Sequence, residues 1–157
     1  MAVWMLDDAA HSVGDTGRKD SIKVWGFWNI LGEEAFGRPS EEEIRPWYWA
    51  WSLMCRYFPK GCDINAVELT GSGGVRACAA ESDGRHTVAV VNWSSEDVQI
   101  SMQVPYTFLN ASVYVYEESS AYRDAEGSLV PSYTGICGDA VSVNVPAQSL
   151  TVITDMQ

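Results

Sequence analysis

The sequence predicts a mainly β protein with one long helix. An antiparallel β-sandwich of about seven to eight strands follows a single strand and a tryptophan-rich helix. Three observations predict this. Apolar residues recur at helical spacing over 47–58. Short alternating runs separated by turn residues fill the chain after Gly61. The length of 157 residues is enough to bury a core.

Residues 2–6 are apolar at every position, which is typical of a strand buried on both faces, as in a parallel sheet. Asp7 and Asp8 end this run, a polar loop follows, and the aromatic stretch 24–32 is interrupted by glycine. The order strand, long loop, helix is one βα unit, which cannot bury itself alone. Either strand 2–6 pairs with the later sheet, or the chain is the tail of a larger α/β protein.

The helix is predicted to begin near Pro46 and to end before Pro59 and Gly61. One face carries Trp47, Ala50, Trp51, Met54, Cys55 and Phe58. The opposite side is also apolar, with Tyr48, Trp49, Leu53 and Tyr57. A helix that is apolar nearly all round must be covered on more than one side. We therefore expect it to lie between two layers, only one of which this chain supplies in full.

The strands predicted after the helix are Asp63–Thr70, Val75–Ala80, Thr87–Trp93, Val98–Val104, Ser112–Glu117, Ala140–Val145 and Leu150–Thr154. Alternation of apolar and polar residues is clearest in 98–104 and 141–145. Turns are expected at 71–74, 82–85, 94–96 and 146–149. No structure is predicted for 118–139.

The composition limits the partners that the chain can have. A net charge of −11 repels phosphate backbones and anionic lipids, so nucleic acid and membrane surfaces are not expected partners. No apolar run is long enough to span a bilayer, and no signal-peptide pattern opens the chain. The sequence assigns no compartment, although export suits a larger parent protein of which this chain would be the tail.

The four cysteines at 55, 62, 78 and 137 form no C-x-x-C pair and have no clustered histidine. Buried free thiols are a better interpretation than a zinc site. Their even number leaves disulfides open. No metal and no cofactor are expected.

Three stretches together resemble the carboxy-terminal end of (β/α)8-barrel glycoside hydrolases that carry an appended β-sandwich. Residues 3–8 are similar to the eighth barrel strand, 47–61 to the last barrel helix and its exit, and 143–152 to the closing hairpin of the sandwich. The resemblance implies a barrel remnant over 1–60 and a C-terminal β-sandwich domain over 61–157.

The same resemblance implies a sugar subsite at the strand end, formed by Trp4, Asp7, His11, Trp25 and Trp28. An indole would stack on the apolar face of a sugar ring, and the polar groups would bond its hydroxyls. The alternatives are a core tryptophan at position 4, a solvated loop at 7–11, and packing of Trp25 and Trp28 onto the helix. Trp93 is expected in the core or as a sugar-stacking residue.

The chain by itself is not expected to hydrolyse anything. Glycosidases use two carboxylates that flank the scissile bond. In the barrels that this chain resembles, these glutamates follow strands four and seven, upstream of everything here. The expected partner is a glycan, bound through the missing barrel, and the apolar helix face is expected to drive self-association. Two other functions stay open: a stand-alone carbohydrate-binding module, and a structural immunoglobulin-like domain.

Overall fold

A computed structural model describes residues 46–70, 73–117, 123–125 and 129–156, with side chains from residue 49 onward. The predicted strand at 2–6 and the loop after it lie outside the described residues. The described part contains one helix followed by an antiparallel sheet of six strands. It is mainly β, as the sequence predicts. No helix in it combines the length and apolarity needed to cross a membrane.

Helix α1 spans Pro46–Tyr57. It begins at the proline, whose missing N–H costs nothing in a first turn, and it ends two residues before Pro59. The amide of Phe58 still bonds the carbonyl of Met54 at 2.9 Å. The predicted bounds of the helix are therefore confirmed.

The strands are β1 Asp63–Ala66, β2 Val75–Ser82, β3 Arg85–Asn92, β4 Val98–Glu117, β5 Tyr133–Val145 and β6 Ser149–Thr154. Strands predicted at 98–104 and 112–117 are one strand of 20 residues, β4. Shifts in register between Gln103 and Ser112 bend it in the middle, and such bulges interrupt the sequence alternation. Merging these two predicted strands explains why six strands, rather than seven or eight, form the described sheet.

The sheet has the order β1-β2-β3-β6-β4-β5, with every pair antiparallel. Strand β4 holds two sections together. Its residues 98–103 pair with 140–145 of β5, and 108–113 pair with 133–138 of the same strand. Its last six residues, 112–117, pair with β6 on the opposite edge. The sandwich is thus a single continuous sheet that folds over at β4.

The prediction that residues 143–152 form a closing hairpin is wrong. Strands β5 and β6 do not pair with each other, because β4 lies between them: β5 pairs along one edge of β4 over 98–113, and β6 pairs along the other edge at 112–117. The connection at 146–148 carries the chain from one section of the sheet to the other. Two adjacent alternating runs in the sequence look like a hairpin, but the long β4 offers each run a separate partner.

The core has two parts, one on each face of the section formed by β2, β3 and β6. The inner cluster lies between the two sections and includes Val88, Val90, Phe108, Val143 and Ile153. The outer cluster lies under α1 and combines helix residues with Cys78, Ala89, Val91, Leu150 and Val152. This section is therefore a middle layer with apolar side chains on both faces, which explains why β6 is buried at every position.

The turn between β2 and β3 is the two-residue Asp83-Gly84 loop that the sequence predicts. Both residues have positive φ, 51° and 69°. Two positive φ values are the requirement of a type I′ turn, and Asp-Gly is a preferred sequence for it. The turn fixes the register that pairs Glu81 with His86.

Candidate functional site

All five residues predicted for a sugar subsite, Trp4, Asp7, His11, Trp25 and Trp28, lie outside the described residues. Their role stays a prediction. The described part contributes two surfaces that could carry function: the far side of α1, and a cleft at the open edge of the sheet.

One side of α1 packs onto the outer face of the sheet. The buried side chains of this side are Trp49, Ala50, Leu53, Met54 and Tyr57, spaced one, four, five and eight residues from the first. The Arg123 guanidinium carbon lies 4.5 Å from the centre of the Trp49 ring and covers that end of the contact. The sheet therefore takes Ala50 and Met54 from the first predicted face together with Trp49, Leu53 and Tyr57 from the opposite side.

The other side of α1 is less covered. Cys55 and Arg56 are exposed, and Trp51 and Phe58 are half-buried. The side chain of Trp47 lies outside the described residues. The predicted patch comprises Trp47, Trp51 and Phe58. Of these, Trp51 and Phe58 have described side chains, and both are partly covered. Self-association through this patch stays a prediction.

Trp93 lies at the edge of the core. It is half-buried and packs against the cluster under α1, not in the inner core. The guanidinium carbon of Arg76 lies 4.8 Å from the centre of the Trp93 ring. A cation thus lies over one face of the ring.

The second surface is a cleft of about 780 Å³ between the two sections of the sheet. One wall is the segment 98–106 of β4, and the other is the segment 65–70, which includes the end of β1. The floor is the inner face of β2 and β3, with Ala77, Ala79, Val88 and Val90. The floor of the cleft is thus apolar, whereas its walls mix polar and apolar residues.

One end of the cleft is polar. The rings of His86 and Tyr106 stack with their centres 3.6 Å apart and their planes 9° from parallel. His86 Nε2 lies 3.9 Å from a carboxylate oxygen of Glu81. Burial, followed by the charges of Asp155 and Glu81, raises the pKa of Tyr106 to about 12. His86 Nδ1 and the Tyr106 hydroxyl have no hydrogen-bond partner among the described residues.

Asp155 positions His86 at this end. Its carboxylate accepts a hydrogen bond from the backbone amide of His86 at 2.6 Å, and its own amide donates to the carbonyl of His86 at 3.1 Å. Arg85 donates to the carbonyl of Asp155 at 3.2 Å. The end of the chain is therefore tied to the start of β3, which holds the imidazole at the cleft.

These groups can bind polar atoms. The cleft has two carboxylates, Glu68 and Glu81, and neither matches a glycosidase motif. Within the described ranges no group of three histidine, cysteine or acidic side chains is placed to hold a metal ion. The sequence interpretation did not single out His86 or Tyr106. Their only signal was the position of His86 beside a well-defined turn, opposite a glutamate.

All four cysteines are described and all are free thiols. The expectation that they are buried is correct for Cys78 but wrong for Cys55 and Cys137, which are exposed. Cys55 is on the less covered side of α1, and Cys137 is on β5, where its thiol donates to the carbonyl of Leu109 at 3.0 Å. Burial raises the pKa of Cys78 to about 12.

The fold was compared with solved structures. It is similar to a glycoside hydrolase family 30 endoxylanase from Clostridium papyrosolvens, with a TM-score of 0.59 and 14% identity over 73% of this chain. The catalytic domain of a family 30 xylanase from Talaromyces cellulolyticus gives a TM-score of 0.55 and 17% identity over 71%. The match to a family 44 xyloglucanase from Paenibacillus polymyxa gives 0.54 and 12% over 75%.

The fold resembles the C-terminal β-domain region of these hydrolases. This confirms, for the fold, the resemblance that the sequence suggested. The chain spans 28%, 24% and 24% of the three solved chains, or about a quarter of each. No protein-family model matches the sequence, and no curated protein matches it.

Proposed function

We propose that this chain is the C-terminal part of a glycoside hydrolase. Residues 1–60 supply the last βα unit of a (β/α)8 barrel, including part of a sugar subsite, and residues 61–157 form an accessory β-domain that braces the barrel. The chain binds glycan only together with the rest of the barrel, and it has no hydrolytic activity of its own. The parent protein cleaves O-glycosyl bonds.

The observation that carries this proposal is the placement of α1. The helix covers the outer face of the sheet with Trp49, Leu53 and Tyr57, while its other side carries Trp51, Cys55 and Phe58. Outer helices of a barrel need apolar side chains on the side that faces the barrel strands. A helix with two apolar sides, one of them against an appended sheet, suits an element shared between a barrel and its accessory domain.

The similarity to family 30 and family 44 enzymes supports the same proposal. Those enzymes are named as an endoxylanase and a xyloglucanase. A polysaccharide such as xylan or xyloglucan is accordingly the proposed substrate of the parent protein. The subsite residues Trp4, Asp7, His11, Trp25 and Trp28 would contribute stacking and hydrogen bonds beside the cleaved bond.

Hydrolysis tests the proposal. The polypeptide encoded by this reading frame together with its upstream codons is expressed, and release of reducing sugar from xylan and xyloglucan is measured. The chain of 157 residues is the matched control. We expect activity from the extended polypeptide and none from the chain alone. Lack of activity on every glycan from a folded extended polypeptide would contradict the proposal.

The carbohydrate-binding module receives less support. Among the described side chains, the large apolar residues that are well exposed are Leu109 at 74% and Tyr133 at 45%. Trp93 is half-buried, and Arg76 lies over one face of its ring. One partly exposed tyrosine is not an aromatic platform for a glycan. We therefore expect the isolated chain to pass through insoluble xylan and cellulose without being retained.

A further inference from the structure

The sequence contains two tripeptides of the form Asn-x-Ser, the acceptor pattern for an N-linked glycan. They are Asn-Trp-Ser at 92–94 and Asn-Ala-Ser at 110–112. The asparagines at 29, 65 and 144 are not followed by serine or threonine at this spacing. The pattern alone treats the two tripeptides as equal, so their surroundings in the fold decide which of them can carry a glycan.

Asn92 has no room for a glycan in the folded chain. Its side chain is fully buried, and its amide nitrogen donates to the carbonyls of Glu96, Val145 and Pro146 at 2.8, 3.1 and 3.0 Å. Its amide oxygen accepts from the backbone amide and the hydroxyl of Ser94 at 3.0 and 2.7 Å. A sugar on this nitrogen would have to displace closely packed protein atoms. The fold and a glycan at this position therefore exclude each other.

Asn110 lies at a bulge of β4. Phe108 pairs with Gly138 of β5. Three positions later Ala111 pairs with Ile136, which is only two positions away on β5. The strand thus carries one extra residue here, which leaves part of the ladder unpaired. The Asn110 side chain is exposed, and within the described ranges its amide makes no hydrogen bond.

The residue before Asn110 supports the same site. Leu109 is 74% exposed, more than any other large apolar side chain in the described part of the chain. Because the bulge interrupts the alternation of the strand, both neighbours reach solvent. A sugar ring has an apolar face of C–H groups, and a glycan on Asn110 could lie over this leucine and remove it from water.

We propose that Asn110 is an acceptor site for an N-linked glycan and that Asn92 is not. The donor is an oligosaccharide joined to a lipid pyrophosphate, and a transferase of the host cell catalyses the step. The Asn110 amide nitrogen bonds to the anomeric carbon of the first sugar and gives up one proton. The bond between that carbon and the pyrophosphate oxygen breaks, and the lipid pyrophosphate leaves. The Ser112 hydroxyl completes the acceptor pattern.

Translation into endoplasmic-reticulum microsomes tests the proposal. The full chain follows a cleavable signal sequence, and a C-terminal tag with its own acceptor tripeptide reports entry into the microsomes. Glycans are counted on the fraction that resists limited proteolysis, because the exclusion of Asn92 applies to the folded chain. We expect two glycans, one on the tag and one on the chain, both removed by endoglycosidase H.

Variants identify the modified residue. Asn110→Gln and Ser112→Ala should each lose the glycan of the chain, whereas Ser112→Thr restores the pattern and should keep it. Asn144→Gln, at an exposed asparagine outside the pattern, is the matched control and should also keep it. A folded wild-type chain that carries only the tag glycan would overturn the proposal. So would an Asn110→Gln variant that keeps both glycans, because the second would then be on Asn92.

A measurement on the folded glycoprotein tests the position itself and needs no variant. Endoglycosidase H should remove the glycan without denaturant, and the urea midpoints before and after removal should coincide, because the site is exposed. A glycan that is released only after unfolding would contradict the exposed bulge. The proposed hydrolase function is tested on the extended polypeptide, so either proposal can fail without the other.

Discussion

The rings of Tyr57 and Tyr114 meet with their centres 5.1 Å apart and their planes tilted by 40°. This contact joins the last turn of α1 to β4, the strand that links the two sections of the sheet. Burial raises the pKa of Tyr57 above the ordinary tyrosine range, and the Tyr114 hydroxyl adds to this rise. The helix is therefore part of the packed structure and not a loose extension in front of the sheet.

We expect Leu53→Ala to lower the free energy of unfolding by about 3 kcal/mol, because Leu53 is among the largest fully buried side chains and its loss leaves a cavity under the helix. Urea denaturation followed by far-ultraviolet circular dichroism measures the change. Cys55→Ala on the exposed side of the same helix is the control and should change stability by about 0.5 kcal/mol or less. Equal effects of the two substitutions would show that the helix does not pack as described.

We expect Asn92→Asp to destabilise the fold by about 3 kcal/mol or more. The buried Asn92 amide donates to the carbonyls of Glu96, Val145 and Pro146 at 2.8, 3.1 and 3.0 Å. A carboxylate at this position would face those three oxygens without a proton to donate. Asn110→Asp, at an exposed position of β4, is the matched control. Equal urea midpoints for the two variants would contradict the bridging role of Asn92.

We expect Tyr106→Phe to raise the free energy of unfolding at neutral pH by about 1 kcal/mol, because it removes a buried hydroxyl that has no partner among the described residues. The substitution should also remove part of the alkaline sensitivity. The pKa of Tyr106 is raised to about 12 from about 10 in the unfolded chain, so the folded state favours the protonated hydroxyl. The free energy of unfolding of the wild type is therefore unaffected by this group below pH 10 and falls as the pH rises from about 10 to about 12.

Urea midpoints of wild type and Tyr106→Phe between pH 8 and 11.5 measure both effects. Tyr133→Phe, at an exposed ring, should leave the midpoint at neutral pH unchanged. Parallel pH profiles for wild type and Tyr106→Phe would contradict the burial of this hydroxyl.

We expect a thiol reagent at pH 8 to modify Cys137 first and Cys78 last, with rates that differ by about 100-fold or more. Cys137 is exposed, whereas Cys78 is fully buried and burial raises its pKa to about 12. Mass spectrometry of the partly labelled chain, with Cys137→Ser as the control, identifies the order. Rapid labelling of Cys78 in the folded chain would show that the layer between α1 and the sheet opens easily.

The sequence was sufficient where one local signal decides the structure. Pro46 and Pro59 bracket the helix, and Asp83-Gly84 sets the turn between β2 and β3. The partners of the strands were less predictable, because the pattern of apolar residues in 98–117 says nothing about a strand that bends. It also does not show that β5 lies along one edge over 98–113 while β6 occupies the other edge only at 112–117. The same limit hid the contact between His86 and Tyr106, which lie 20 positions apart and meet only because β4 folds over β3.

The two sides of α1 show the same limit on a smaller scale. Periodicity identified both apolar sides of the helix, but it could not say which one the sheet covers. The sheet takes Trp49, Leu53 and Tyr57 because this is the side that meets Leu150 and Val152 on β6 and Tyr114 on β4. A barrel is the proposed partner of the remaining side.

The DNA sequence upstream of the Met1 codon tests the central claim most directly. If the chain is the end of a barrel glycosidase, the reading frame continues upstream without a stop for about 200 residues and encodes strands that carry two catalytic glutamates. An in-frame stop codon directly upstream, followed by a ribosome-binding site, would show that the chain is complete and would contradict the claim.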